Sequence, residues 1–261
     1  MKPRGWLLGI SLGNVLFLYG PILILIAFSF NASRFTATWS GFTLQWYREL
    51  VSDHALLVAV QKSMIVAASS TAIAAILGVA AAIGLESLPL RKQRVVEGAM
   101  LMPLIVPEVM LGVALMLFFV TIKWPLSLVT VTIGHAAFNV PVIMVIVRTR
   151  LRKLDSHLLE AAYDLGATPW QAFRRVTLPL LAPAIIGGVL LAFTISLDDF
   201  IVTFFIGGPG STTLPLKVYS MIKSGVSPEI NALSAVLVVI SMTLVALAAA
   251  LQRRGEGKSK K

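Results

Sequence analysis

The sequence predicts an all-α integral membrane protein that crosses the bilayer about six times, and three features support this class. The 261 residues are 57% hydrophobic and only 13% charged, with a mean hydropathy of +0.87. Soluble domains are about 45–50% apolar and about 25% charged, so this chain has too few charges to cover a soluble surface. The apolar residues also form long runs, and the basic residues cluster at the ends of those runs.

Six runs are long enough to cross a hydrocarbon core of about 30 Å at a rise of about 1.5 Å per residue. They cover approximately residues 6–30, 56–85, 95–120, 126–147, 180–200 and 232–251. We expect them to form a single transmembrane domain over residues 1–261. The first run follows two basic residues, as in a signal peptide, but it exceeds the usual length of about 7–15 apolar residues, which predicts a retained helix.

The distribution of basic residues predicts the orientation of the bundle. Of the 22 Lys and Arg residues, 16 fall on the side that holds both termini and 5 on the other side, while Lys62 lies near a helix end. Because cytoplasmic loops carry the excess of Lys and Arg, the N and C termini are predicted to be cytoplasmic. This asymmetry accounts for the formal charge of +10 without a nucleic-acid partner.

Several chemistries are excluded by residues that the sequence lacks. Cysteine is absent, and the three histidines (His54, His135 and His157) are far apart in sequence, so a metal site is not expected. The chain contains no phosphate-binding Gly-x-x-x-x-Gly-Lys-Ser/Thr motif and no Gly-x-Ser-x-Gly or His-Glu-x-x-His motif. We therefore expect neither nucleotide hydrolysis nor other catalysis in this chain.

Two segments on the predicted outer side are too long to be simple connections. Residues 31–55 carry Trp39, Trp46 and Tyr47, which suit either a membrane-interface anchor or a docking surface for an external partner. Residues 201–230 contain the run Gly207-Gly208-Pro209-Gly210, which forces turns because glycine admits positive φ and proline fixes its own φ.

The cytoplasmic segment between the fourth and fifth runs predicts two short helices separated by a break. Asp155 or Ser156 can cap the first helix, and Gly166 ends it as a left-handed residue. Thr168 and Pro169 then provide a cap and a first-turn proline for the second helix, which presents Trp170, Phe173 and Val176 on roughly one face. On periodicity alone, such an amphipathic pair could simply cover the base of the bundle.

The spacing in this segment is more specific than its periodicity. It reads Glu160-Ala161-Ala162, three residues, Gly166, nine residues, Val176, Thr177, Leu178-Pro179. This resembles the EAA loop of ABC-importer permeases, in which isoleucine replaces Val176. The resemblance implies that the segment forms coupling helices on a separate ATPase subunit, with contacts from Glu160, Ala161, Ala162, Gly166, Arg174 and Arg175.

A wider resemblance covers nearly the whole chain. It is to the permease subunits of spermidine/putrescine importers, and it is carried by residues 19–21, 29–35, 41–47, 160–167, 196–200, 214–220 and 225–233. It implies a type I ABC importer permease fold in the bacterial inner membrane. It also implies three partners: a second permease subunit, a pair of ATPase subunits that hold ATP and Mg, and an extracytoplasmic substrate-binding protein.

Three carboxylates are predicted within the membrane-spanning runs, where a charge is costly unless it lines a polar cavity or is paired. Asp198 lies about 27 Å along the fifth run and Glu108 about 20 Å along the third, so both fall in the outer half. With Asp199 they predict a pathway for a cationic substrate. The alternatives are that the two aspartates cap a helix end or pair with Lys217 or Lys223, and that Glu108 is packed against a partner subunit.

Polyamine import through an ABC permease is the predicted function. Related permeases for other small solutes share much of the pattern, so a different solute is the first alternative. An ion-coupled secondary transporter is the second alternative, although we find no inverted repeat of the kind common in that class.

Overall fold

The computed structural model describes residues 5–33, 38–155, 157–223, 225, 227–240, 242 and 243. Most of these residues lie in helices, as predicted. The helices are α1 (Gly5–Phe28), α2 (Gln45–Ser52), α3 (His54–Glu86), α4 (Leu90–Ile105), α5 (Glu108–Thr121), α6 (Leu128–Leu151), α7 (His157–Asp164), α8 (Pro169–Ala172), α9 (Leu178–Asp198), α10 (Ile201–Ile206), α11 (Leu214–Lys223) and α12 (Pro228–Ile240). A π-helical turn, Phe173–Thr177, joins α8 to α9.

Four helical spans in the described residues are long and apolar enough to cross a membrane, or five if the bent pair α4 and α5 counts as one. These four are Gly9–Phe28, His54–Glu86, Leu128–Leu151 and Pro169–Asp198. The predicted sixth span, residues 232–251, begins in α12 and continues beyond the described residues. The count of about six crossings therefore stays a prediction.

The third predicted run, residues 95–120, contains Pro103 and Pro107 and is interrupted in the structure. This region forms α4 and α5, which meet at an angle of 103°. Proline disfavours a helical conformation in the residue before it, and Val106, which precedes Pro107, is extended (φ −69°, ψ 134°). The helix therefore ends at Ile105, and Glu108 begins a new helix.

Residues 58–217 form one compact unit, in which α6 packs closely against α3 and α9. A Cβ atom on Gly78 of α3 would lie 2.9 Å from the Val140 carbonyl oxygen of α6, and one on Gly188 of α9 would lie 3.6 Å from Ile143. Small residues at such crossings let two membrane helices approach closely. The core between these helices contains Ala74, Ala82, Met144, Val147, Leu181 and Ala192, all buried.

The described parts of residues 1–57 and 218–261 form a second unit. Within it, the chain after α1 folds around Asn31, whose side chain accepts a hydrogen bond from the Ser40 N–H at 2.9 Å. The Trp46 indole donates to the Asn31 carbonyl at 2.7 Å and is 4% exposed. Trp46 is therefore a folding contact of this segment, whereas Trp39 is exposed and stays available for either of the roles that the sequence left open.

Candidate functional site

A cavity of about 660 Å³ lies in the unit of residues 58–217, where the break between α4 and α5 faces the end of α9. Most of its wall is apolar. Its lining residues are Pro103, Leu104, Val106, Glu108, Leu111, Phe138, Val142, Thr194, Ile195, Asp198, Asp199, Phe200 and Ile201. The structure thus brings the three predicted pathway carboxylates to the wall of one cavity.

Two of these carboxylates are exposed. Glu108 is the first residue of α5, and Asp198 is the last residue of α9. Neither makes a hydrogen bond or ion pair with any residue that the structure describes. The positive N-terminal end of a helix stabilises Glu108, whereas the C-terminal end of α9 carries partial negative charge and does not stabilise Asp198. Asp198 therefore gains most from a cation in the cavity.

Asp199 has a different environment, although it is adjacent in sequence to Asp198. Its side chain is 6% exposed, and its carboxylate accepts hydrogen bonds from the backbone N–H groups of Val202 at 3.3 Å and Thr203 at 2.9 Å. The Thr203 hydroxyl also donates to it at 2.9 Å. Asp199 thus caps the start of α10, which is the alternative that the sequence left open for it.

A third residue beside Asp199 is His135, a fully buried residue of α6. Its Nε2 lies 3.0 Å from Asp199 Oδ2 and 2.9 Å from the Thr203 hydroxyl, and its Nδ1 lies 2.7 Å from the Ser196 hydroxyl. Ser196 in turn lies 3.1 Å from the hydroxyl of Ser70 on α3. From the sequence we expected only that His135 holds no metal, and nothing there connected it to Asp199.

The segment of residues 155–178 has the local structure that its spacing predicts. The Asp155 carboxylate accepts a hydrogen bond from the His157 N–H at the start of α7, and Gly166 has a positive φ of 81° after its end. The Thr168 hydroxyl accepts a hydrogen bond from the Gln171 N–H at 3.3 Å, and Pro169 occupies the first turn of α8. Helix, break and helix are therefore encoded locally.

The surface of this segment is exposed where coupling contacts were predicted. Glu160, Ala161, Gly166, Arg174 and Arg175 are exposed, and Ala162 is half-buried. Two large apolar side chains accompany them, Leu165 at 89% exposure and Trp170 at 66%. Exposed apolar side chains in a short polar segment are typical of a protein–protein contact.

One charged cluster was missed by the sequence analysis. Arg148 of α6 is buried, and its guanidinium donates to Glu86 at 2.6 Å through Nε and contacts Glu97 through Nη1. Arg152 also donates to Glu86 at 2.8 Å. These pairs join the ends of α3 and α6 to α4. From the sequence we counted Arg148 only among the basic residues that predict the orientation, because its partners Glu86 and Glu97 are more than fifty positions away.

The comparisons with known proteins agree with this architecture. The family model described as "Binding-protein-dependent transport system inner membrane component" matches residues 74–258. The chain is 43% identical over 241 residues to the putrescine transport system permease protein PotI of Escherichia coli K12, covering 89% of this chain and 85% of PotI. It is 40% identical over 229 residues to the spermidine/putrescine transport system permease protein PotC of the same strain, covering 88% and 87%.

A solved structure with a similar fold is a bacterial alginate ABC transporter in complex with an alginate pentasaccharide-bound periplasmic protein. The TM-score to one of its chains is 0.74, with 16% identity, and the match covers 96% of this chain and 93% of that chain. The predicted permease fold is thereby confirmed. This chain belongs to the family of inner membrane components of binding-protein-dependent transport systems, the permeases of ABC importers.

Proposed function

We propose that this chain is a multi-pass inner-membrane permease subunit that carries polyamines such as putrescine and spermidine into the cytoplasm. The single observation that supports this most directly is the cavity with two unpaired carboxylates, Glu108 and Asp198, in a chain whose named relatives transport polyamines. A carboxylate held within a membrane without a partner is costly, which favours a site that receives a cation during transport.

The chemistry of the cavity matches that of a polyamine. A polyamine carries ammonium groups separated by methylene chains, so it needs anionic groups together with apolar surface. Glu108 and Asp198 supply the charge, and Leu111 and Ile195 supply contact for the methylenes. Phe138 and Phe200 add aromatic faces that attract a cation.

Energy for transport comes, in this proposal, from a separate pair of ATPase subunits that hold ATP and Mg. Their contact is the exposed segment of α7, Gly166 and α8, with Glu160, Ala161, Ala162, Arg174 and Arg175 around the bend. A second permease subunit completes the pathway, and an extracytoplasmic binding protein delivers the substrate. The alginate transporter of similar fold is in complex with a periplasmic protein, which supports such a partner.

The mechanism follows from differential binding to two conformations. Closure of the ATPase pair moves the α7–α8 segment and shifts the bundle from an inward-open to an outward-open cavity. The binding protein then releases the cation to Glu108 and Asp198. After ATP hydrolysis the cavity returns to the inward-open state, and the cation leaves to the cytoplasm.

Uptake of labelled putrescine and spermidine into proteoliposomes containing the assembled importer tests the cation pathway. Asp198→Asn and Glu108→Gln should each reduce uptake about tenfold, as expected from the loss of one charge-assisted contact of about 1.4 kcal/mol. The charge-retaining controls Asp198→Glu and Glu108→Asp should keep most of the activity. Unchanged uptake in both neutralised variants would contradict the proposed pathway.

The coupling segment is tested at Gly166, whose φ of 81° a branched side chain rarely adopts. Gly166→Val should leave membrane insertion intact but reduce the uptake obtained per ATP hydrolysed. Gly166→Asn is the matched control because asparagine tolerates this conformation. If the valine variant transports as much substrate per ATP hydrolysed as the unmodified importer, the bend has no coupling role.

A further inference from the structure

The two adjacent aspartates of the cavity differ in how much of their charge is already satisfied. Asp199 accepts hydrogen bonds from three donors on Val202 and Thr203, and His135 Nε2 lies 3.0 Å from its Oδ2. Asp198 accepts from none among the described residues. A carboxylate has about four lone-pair sites, so the bonds of Asp199 leave little capacity for a substrate ammonium group. The free charge of this wall is therefore that of Asp198.

His135 is placed to maintain this difference. An ionised carboxylate has no hydrogen to donate, so the hydrogen between His135 and Asp199 belongs to His135 Nε2. On the other side of the ring, Nδ1 lies 2.7 Å from the Ser196 hydroxyl, which fixes the ring orientation. The ring therefore cannot rotate away from Asp199 without losing a second buried hydrogen bond.

The hydrogen-bonded chain spans the unit of residues 58–217 from Ser70 on α3, through Ser196 on α9 and His135 on α6, to Asp199 and Thr203 at α10. Ser70, His135 and Thr203 are at most 1% exposed. In a low-dielectric interior, a fully bonded polar network rigidifies the elements that it joins. The connection between α9 and α10 is thereby held to both neighbouring helices.

This connection determines where Asp198 points. Asp199 is extended (φ −65°, ψ 120°), so the chain leaves α9 directly after Asp198 and re-enters a helix at Ile201. His135 also contacts the ring of Phe138, with centroids 5.2 Å apart, and Phe138 lines the same cavity. His135 thus supports the wall from behind without lining the cavity itself.

We propose that His135 is a positioning residue for cation transport: by contacting Asp199 and Thr203 at the start of α10, it keeps the neighbouring Asp198 available to the cavity as a second carboxylate beside Glu108. This rests on the proposed polyamine function. Asp199 then belongs to the supporting network and Asp198 to the substrate contact, although the two residues are identical and adjacent.

A double-mutant cycle in the assembled, reconstituted importer tests this role, with uptake of labelled spermidine as the readout. His135→Phe keeps the ring next to Phe138 but removes both hydrogen bonds, and it should lower uptake about tenfold. In an Asp198→Asn background the same change should have little further effect, because the group that His135 positions has already lost its charge. Independent, multiplicative losses would overturn the positioning role.

Two further variants separate this role from a general folding defect. His135→Gln retains an N–H donor for Asp199 and should recover part of the uptake lost in His135→Phe. If His135→Phe fails to assemble, the cycle is carried out with His135→Gln and the same criterion applies. Asp199→Asn should behave as His135→Phe does, with a loss that depends on the presence of Asp198; a loss that is unchanged in the Asp198→Asn background contradicts the proposal.

Failure of this inference differs from failure of the proposed function. If Asp198→Asn and Glu108→Gln transport spermidine like the unmodified importer, the cation pathway itself is wrong. If both lose uptake while His135→Phe and Asp198→Asn act independently, the pathway stands and His135 has no positioning role.

Discussion

Two helix breaks form the cavity, and they are produced by different forces. Between α4 and α5 the chain turns by 103° at Val106 and Pro107, where the proline ring prevents helical continuation. Between α9 and α10 the described backbone contains no proline, and the break is held by Asp199 with His135 and Thr203. The first break is caused locally by the proline ring, whereas the second depends on tertiary contacts.

The cause of each break explains whether the carboxylate beside it is hydrogen-bonded. Pro107 needs no side-chain partner to stop a helix, and Glu108 is exposed and bonds to none of the residues that the structure describes. At the second break the Asp199 carboxylate holds the start of α10 through hydrogen bonds. The adjacent Asp198 accepts none from the described residues. A helix break built from side chains requires an additional polar residue that a proline break does not.

The largest expected effect on stability is at the second break. Asp199→Ala removes the acceptor of the buried Thr203 hydroxyl and of the first N–H groups of α10, and each buried donor left unsatisfied costs about 1–3 kcal/mol. We expect a clearly lower melting temperature for the purified complex. Asp198→Ala is the matched control, since Asp198 is exposed and unpaired, and it should change the melting temperature little. Equal melting temperatures for the two variants would show that Asp199 does not hold the break.

A smaller effect is expected where α10 packs on α6. A Cβ atom on Gly134 would lie 2.4 Å from Ile206 Cδ1 and 3.2 Å from Val202 Cγ1. Gly134→Ala should therefore force the buried Ile206 side chain to shift and destabilise the complex by about 1–3 kcal/mol, as overpacking does. Gly187→Ala on α9 is the control, because no atom lies within 4 Å of its added Cβ. If the Gly134→Ala and Gly187→Ala complexes have the same melting temperature, this packing is contradicted.

Sequence reasoning succeeded where the cause of a structure lies within a few residues. Gly166, Thr168 and Pro169 predicted the helix break of the cytoplasmic segment, and hydropathy predicted the membrane helices. Pro107 was visible inside the third run, and the break before it follows from the effect of proline on the preceding residue. The sequence indicated an opened backbone there but not the angle of 103° between α4 and α5.

The division between Asp198 and Asp199 could not be predicted in the same way. Its cause is His135, which bonds to Ser196 and Thr203 at separations of 61 and 68 residues. Pairing of Arg148 with Glu86 likewise joins residues 62 positions apart. Residue type and spacing identified intramembrane carboxylates, but only the packing of α6 against α9 and α10 determines which one is bonded.

Loss of the Glu108 charge should affect transport without affecting the fold. Its carboxylate contributes to stability only through the N-terminal end of α5, an effect of about 0.3–1 kcal/mol. Glu108→Gln should therefore change the melting temperature of the complex by far less than Asp199→Ala, while uptake falls. A large loss of stability in Glu108→Gln would mean that this carboxylate has a structural partner in the assembled complex.

The smallest expected effect on stability is at Pro107. Pro107→Ala removes a constraint on the unfolded chain, which costs about 0.4–1 kcal/mol, and it makes no buried polar group unsatisfied. The residue before an alanine can enter a helix, so α4 and α5 can straighten and move Glu108 along the cavity wall. We expect near-normal melting together with reduced polyamine uptake. The reverse pattern, lost stability with normal uptake, would show that the bend is a folding feature and that the position of Glu108 does not matter for transport.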